Sequence, residues 1–407
     1  MTDPIIYTDG DPVQSVEPTV TQKLKERFAT SSDGKHISFV GLIWLESKPV
    51  LFLPKGLKAD NIDWKNSGRL ICNCLRKYSK QLNKEGDPDR GEYETEYPIA
   101  LKLLENYLEN GLFDTREKIY QCGNSGKVNW SRTIKQVQPH VNQNGEPVYL
   151  SQIISKRSIT NNIVHEIHKA LVHESDQQLG WLLSDTKDVV ASECFNSKLT
   201  VPRTTAISIV RKEMDNHFSD RKLIQLKLME SYLLKKNSKR NDSLQFFGTT
   251  GFQHVWEKMC GIYLGDQRAD NPIPAIPVYL FESDSQTKKE NGPRPDVVIR
   301  EKNKLAVIDA KYYDFSRSAP SWPDLVKQFF YAKAYRSNPD LDYVKNYLAL
   351  PNIESKKPDR VVIRGIHDKR LDDEFEPIQM LFLETLEVMH HFVKHRVSKP
   401  MRAAVLQ

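Results

Sequence analysis

Hydrophobic positions in this chain switch between a two-residue and a 3.6-residue repeat, and the switch points outline its elements. Residues 36–56, HISFVGLIWLESKPVLFLPKG, hold two β-rich apolar runs flanking Glu46-Ser47-Lys48, which reads as a hairpin in a small β-structure. The 25 or so residues before it are polar and read as loosely ordered. From Tyr93 the repeat becomes helical: Ile99, Leu101, Leu103, Leu104, Tyr107 and Leu108 supply an apolar side, and Gly111 marks the stop. Residues 127–139 predict a short helix with interspersed basic residues, and 145–150 a turn and a strand. Helix, helix and β-ribbon in that order predict a winged-helix-like unit, a type that serves both DNA reading and protein docking.

Residues 160–236 read as mostly helical, and the polar, basic run Lys235–Asp242 reads as a solvated hinge or as a contact to a nucleic-acid backbone. An α/β pattern follows. Residues 249–265 form an amphipathic helix with Phe252, Val255, Trp256, Met259, Ile262 and Tyr263 on one face. Strands are expected at PVYLFES, RPDVVIR and KLAVIDAKYY, a helix from about Pro323 through LVKQFFYAKAYR, a strand at 360–366 and a long final helix over 375–396. No internal repeat or low-complexity tract is present.

Composition narrows the class. The chain has 407 residues, enough for two or three domains, and an ordinary apolar content. No run of about 18 apolar residues occurs, so no membrane span is expected. The acidic start MTDPIIYTDGDP is unlike a signal peptide. The five cysteines include no CxxC pair, which points to free thiols in a reducing cytoplasm. A net charge of +6 permits a nucleic-acid partner without requiring one.

The informative chemistry lies in Arg294-Pro295-Asp296-Val297-Val298-Ile299 and Leu305-Ala306-Val307-Ile308-Asp309-Ala310-Lys311-Tyr312. Strand side chains alternate faces, so Leu305, Val307, Asp309 and Lys311 share one face and Ala306, Ile308, Ala310 and Tyr312 the other. A hairpin through the polar turn 300–304 folds Asp296 back beside Asp309. Two adjacent carboxylates repel unless a proton or cation intervenes. Their oxygen ligands suit Mg²⁺, which takes one or two carboxylates together with water and phosphate oxygens. A lysine two residues on can orient or help deprotonate an attacking water. The plainer alternative is a surface strand whose Asp309–Lys311 pair is an ordinary ion pair.

These motifs resemble the PD-(D/E)xK nuclease core and, more narrowly, LlaJI-type restriction endonucleases and the McrC-like nuclease subunit of methylcytosine-dependent McrBC systems. The resemblance centres on 250–340, including the FQHVWEKM and LVKQFFYAKAY helices, and extends more weakly over 36–150. It implies an α/β (α+β) protein: a C-terminal restriction-endonuclease-like domain of mixed sheet and flanking helices at 246–400, a β-rich and winged-helix-like region at 1–155, and a helical middle at 156–245. It also implies metal ligation by Asp296, Asp309 and the Ala310 carbonyl, a catalytic Lys311 and an acidic accessory at Glu257. Glu257 lies off the apolar face of its helix and reads equally as a solvated glutamate. Related nucleases carry a glutamine followed by a tyrosine on the next helix; here Gln328 and Tyr331 stand three apart where four is expected, so packing competes with a catalytic role.

The resulting expectation is a Mg²⁺-dependent endodeoxyribonuclease of a restriction system, acting on double-stranded DNA. The resemblance implies activation by an McrB-like AAA+ GTPase, and a double-strand break requires two copies. The alternatives are a self-sufficient site-specific endonuclease and a non-catalytic DNA-binding adaptor. Other motifs are decoys. Gly123–Val128 is two residues short of a phosphate-binding loop and lacks its hydroxyl, so any nucleotide-driven step is expected in another chain. His165-Glu166-Ile167-His168 with His173 lacks the zinc-protease spacing, and adjacent His390 and His391 point apart on a helix. Phe329 and Phe330 are expected to pack rather than stack bases.

Overall fold

A computed structural model describes residues 4–26, 29–45, 48–58, 63–85, 98–123, 125–160, 163–183, 194–237, 246–271, 273–276, 278–280, 287–289, 292, 294–315, 317, 319–353 and 357–407. In chain order its elements begin with β1 (Ile5–Thr8), α1 (Pro18–Glu26), β2 (Val40–Leu45), β3 (Lys48–Leu53) and α2 (Trp64–Glu85). They continue with α3 (Ile99–Asn110), β4 (Thr115–Gly123), β5 (Lys127–Val128), α4 (Trp130–Gln136), β6 (His140–Val141), β7 (Pro147–Val148), β8 (Gln152–Thr160), α5 (Ile163–Leu179), α6 (Arg203–Met214) and α7 (Asp220–Asn237). The last third holds β9 (Phe246–Thr249), α8 (Phe252–Leu264), β10 (Val278–Leu280), β11 (Thr287–Lys289), β12 (Val297–Glu301), β13 (Lys304–Ala310), α9 (Trp322–Arg336), β14 (Tyr343–Pro351), β15 (Arg360–Val361), β16 (Ile378–Leu383), α10 (Thr385–Lys394) and α11 (Lys399–Leu406).

Two compact units result: residues 1–97 with 245–407, and residues 98–244. The expected division at 155 and 245 is therefore redrawn. Its physical reason is a strand pairing that periodicity does not reveal: β9, far along the chain, pairs antiparallel with β2. Within the second unit α3 ends at Gly111, which takes φ 73 and donates its N–H to the Tyr107 carbonyl. The expected helix–helix–ribbon order is corrected there, because β4 stands between the two helices and pairs along its length with β8. The expected hinge at Lys235–Asp242 begins inside α7, and Lys239 and Arg240 lie outside the described residues.

Among the described residues the first unit contains a four-stranded sheet, a five-stranded sheet and the two-stranded β10–β11 ribbon. The first has the order β1-β3-β2-β9. Its β2–β3 hairpin bears out the expected pairing, while Glu46 and Ser47 of the turn lie outside the described residues. The opening residues are ordered, contrary to expectation: β1 lies parallel to β3, and Val13, Val16, Val20 and Leu24 pack with Ile37, Phe39, Val50 and Phe52. Sparse valines and one leucine suffice because each is buried.

The second sheet has the order β12-β13-β14-β16-β15. The β12–β13 hairpin turns through Lys302 and Asn303, with Lys302 at φ 56. Val298, Leu305 and Val307 face Tyr331, Ala332 and Tyr335 of α9. On the other face α8 carries Phe252 and Trp256 against Tyr312. The expected final helix over 375–396 is corrected: IQMLFL is strand β16, parallel to β14, and the helix starts at Thr385. A short apolar run of this length fits a buried strand or helix equally well from pattern alone.

Sheet one closes over a pair of glycines. A Cβ on Gly41 would sit 2.1 Å from the Phe247 carbonyl oxygen, and one on Gly248 would meet the Phe39 ring. Gly41→Ala should destabilise the protein by about 2–4 kcal/mol, read as a lowered denaturation midpoint.

Candidate active site

Register brings the chemistry together. In the β12–β13 pair Val297 stands opposite Ile308, so the residue before β12, Asp296, arrives beside the end of β13. Asp296 Oδ2 accepts the Ala310 N–H at 2.9 Å. The Lys311 Nζ lies 2.8 Å from Asp309 Oδ2 and 3.4 Å from Asp324 Oδ1. Asp296, Asp309 and Lys311 thus converge as alternation and the hairpin predict.

Electrostatics mark the site as strained in charge. Burial, then Asp309, then Glu257 push the Asp296 carboxyl well above its ordinary 3.8. Burial also raises Asp309, against the opposing pull of Lys311, and Asp296 and Asp309 hydrogen-bond through their side chains. Burial disfavours the Lys311 charge, but Asp309, Asp296 and Asp324 together outweigh it and raise its pKa. The three carboxylates thus favour the charged form of Lys311 where no cation shares the site.

Asp324 is the residue that pattern reading missed. It is the third residue of a capping box: the Asp324 Oδ2 accepts from Ser321 Oγ at 2.6 Å and from Ser321 N at 3.2 Å. Its other oxygen faces Lys311. The S-x-x-D signature at 321–324 is visible in the sequence, but it signals a helix start and carries no information about what the carboxylate reaches.

A second missed group holds β12, the strand that follows Asp296. The segment after α8 caps the open edge of β12: Val298 N donates to Asp266 Oδ1 at 3.0 Å, Gln267 N to the Val298 carbonyl at 2.7 Å, and Arg300 N to Gln267 Oε1 at 2.9 Å. Arg268 pairs with Asp266 at 2.9 Å. These bonds satisfy edge groups that would otherwise be open to another strand.

The remaining expected residues fall differently. Glu257 is half-buried, lies 3.6 Å from His254 Nδ1 and lines a cleft of about 470 Å³ together with Asp296, Lys258, Arg268 and His395. Gln328 is corrected: it is fully buried, and its amide donates to the Val307 and Tyr347 carbonyls at 3.1 and 2.9 Å. Its amide nitrogen thus braces β13 and β14, while its Oε1 is buried without a hydrogen-bond partner among the described residues. Tyr331 donates to the Arg294 carbonyl at 3.3 Å, just ahead of Asp296. Phe329 packs as expected, whereas Phe330 is exposed.

In the second unit, His168 Nδ1 accepts the Phe113 N–H at 2.9 Å, and His165 Nδ1 lies 2.7 Å from the Phe113 carbonyl oxygen. Burial pushes His168 down to about 3. This histidine pair is structural. Among the described residues no group of three or more His, Cys, Asp or Glu could hold a metal, and no helix is long and apolar enough to cross a membrane. The Asp296–Asp309 set is a two-carboxylate site. Two buried, mutually repelling carboxylates without thiolate or imidazole fit a hard, oxygen-preferring divalent cation completed by non-protein oxygens.

A sequence model described as LlaJI restriction endonuclease matches residues 39–366. The type II restriction enzyme BsuMI component YdjA of Bacillus subtilis (strain 168) is 25% identical over 332 residues, spanning 75% of this chain and 70% of the relative. A chain in the tetradecameric assembly of Thermococcus gammatolerans McrB AAA+ hexamers with bound McrC superposes over 97% of this chain and 99% of its own length, at 14% identity and a TM-score of 0.42. A chain of the Thermococcus gammatolerans McrBC complex covers 63% of this chain and 85% of its own length, at 14% identity and a TM-score of 0.28.

The charge conflict has a sign. In the unfolded chain Asp296 ionises near 3.8, whereas in the fold it keeps its proton to higher pH. The native state then binds more protons, and the pair costs stability increasingly as pH rises above that value. Asp296→Asn should therefore raise the melting temperature of metal-free protein at neutral pH by about 2–6 °C, with the gain fading as pH falls toward 3.8. Scanning calorimetry across pH checks this.

Proposed function

The chain belongs to the LlaJI restriction endonuclease family, and from that premise we propose that it is a Mg²⁺-dependent, DNA-cutting subunit of a restriction system with a PD-(D/E)xK active site. The observation that carries this reading is the meeting of Asp296 and Asp309, both driven up in pKa by burial, with the Lys311 ammonium 2.8 Å from Asp309. An ordinary surface ion pair would not require a second buried carboxylate at the same point.

Asp296, Asp309 and the Ala310 carbonyl would hold the ion. When bound, Mg²⁺ supplies positive charge to the scissile phosphate and acidity to an associated water. The protein's own groups do the rest. The Ala310 N–H fixes Asp296 Oδ2, holding this carboxyl beside its hydrogen-bonded partner Asp309. The Lys311 ammonium donates hydrogen bonds that orient an attacking water and meet charge developing on the phosphate. Asp324 offers Lys311 a standing partner when Asp309 is engaged elsewhere. Glu257, beside Asp296 in the cleft, adds negative charge that strengthens the site's demand for a cation. In hydrolysis the water oxygen bonds to phosphorus, the ester P–O bond breaks, and the departing oxygen takes up a proton.

A partner AAA+ GTPase of the McrB kind is part of the proposal. It rests on the sequence resemblance to McrC-like subunits and on the Bacillus subtilis relative being named a component of its enzyme. Two copies of the chain would be needed to cut both strands.

Asp309→Ala should lower metal-dependent cleavage by about 10³-fold or more and weaken Mn²⁺ binding in calorimetry, with the fold retained. Lys311→Ala should lower cleavage comparably while retaining metal. Wild-type cutting by either variant, assayed with and without the partner, would end the nuclease reading.

A further inference from the structure

Lys55 belongs to the LPKG stretch after β3, far in sequence from the carboxylates, yet it grips the residue next to Lys311 at both ends. The Lys55 N–H donates to the Tyr312 hydroxyl oxygen at 2.8 Å, and the Lys55 Nζ donates to the Tyr312 carbonyl oxygen at 3.2 Å. The same ammonium lies 4.4 Å from the Tyr312 ring centroid and 3.7 Å from Asp9 Oδ2. Asp9 is buried; its carboxyl accepts from the Tyr312 hydroxyl and from the Phe39 backbone N–H. Thr385 Oγ1 donates to the Lys55 carbonyl at 2.8 Å, fixing the turn from α10. Gly56 follows at φ +89, where a Cβ would meet that threonine's oxygen at 2.5 Å. Further along the chain, Arg317 pairs with Asp314 at 3.2 Å and also donates to the Gly10 carbonyl.

No step of the cleavage chemistry uses Asp9, Lys55 or the Tyr312 hydroxyl. Burying a charge pair is unfavourable compared with apolar packing, and its best-attested return is a uniquely defined arrangement. The arrangement defined here is the chain leaving β13. Tyr312 packs on Phe252 and Trp256 of α8 while Lys311 reaches Asp324 of α9, so a fixed tyrosine constrains the direction of its neighbouring lysine. Tyr312 is gripped by Lys55 and packed by Phe252 and Trp256. Lys311 is thereby turned toward Asp309 and Asp324.

We propose that Lys55, seated by Asp9, is a positioning residue that transmits the placement of the first sheet to Lys311 through Tyr312. This rests on the nuclease reading for its kinetic consequence, but not for its structural one. A change in how the 9–10 turn or the 54–56 turn sits would alter the aim of the lysine without touching a carboxylate.

The test uses the full chain with Lys55→Met, which keeps the apolar stem, and Tyr312→Phe, which keeps the ring. Hydrogen–deuterium exchange should quicken about tenfold in peptides covering 311–315 and stay unchanged over the β14 strand, as expected for local loss of a charge-assisted hydrogen bond. Single-turnover cleavage should fall by roughly tenfold to a hundredfold with DNA affinity unchanged. Unchanged exchange at 311–315, or quickening spread equally over β14, would overturn the proposal, as would full cleavage by both variants. If Lys55→Met does not fold, Tyr312→Phe decides by the same criteria. If the wild-type chain cuts no DNA, the nuclease reading fails, and the exchange pattern alone decides the positioning claim.

Discussion

The site depends on one unfavourable interaction, two carboxylates held together in a mostly buried strand end. Left to themselves, Asp296 and Asp309 would separate or take up a proton. The β12–β13 register prevents separation, and the capped edge of β12 keeps that register from slipping. The fold thus stores an electrostatic demand that a cation can satisfy. In the absence of an ion, the Lys311 ammonium answers part of it.

The end of β13 and the two residues after it divide the labour. Asp309 and Lys311 face α9, where Asp324 waits at the helix's first turn. Tyr312 faces α8 and is gripped by Lys55. Lys311 reaches toward α9 and Tyr312 toward α8, one residue apart, while Glu257 lines the cleft beside Asp296 from α8. Asp324 illustrates how economical the arrangement is: one oxygen starts a helix, and the other holds the lysine. Gln328 is the complementary case, a polar residue committed to two strand carbonyls on the chemical face of the sheet.

Membership of the LlaJI family fits a chain whose carboxylates and lysine fall inside the matched stretch, 39–366. That stretch also contains Lys55, so the matched region includes both the site and the turn that steadies it. Asp9 lies outside it, in the opening segment that completes the first sheet.

Sequence alone determined what is local. Period-two alternation and a polar turn sufficed to place Asp296, Asp309 and Lys311 together, because a hairpin needs only neighbouring residues to form. The helix stop at Gly111 was legible for the same reason, since a glycine at positive φ leaves its mark at one position. Tertiary structure decided what depends on distant partners. It made IQMLFL a strand by supplying β14 beside it, ordered the opening residues by supplying β3, and joined residues 1–97 to the last third through β9. It also turned Asp324 toward a lysine and Lys55 toward a tyrosine. No periodicity encodes such contacts, because burial and hydrogen bonding are properties of the surroundings that a side chain meets and not of the order in which residues are joined.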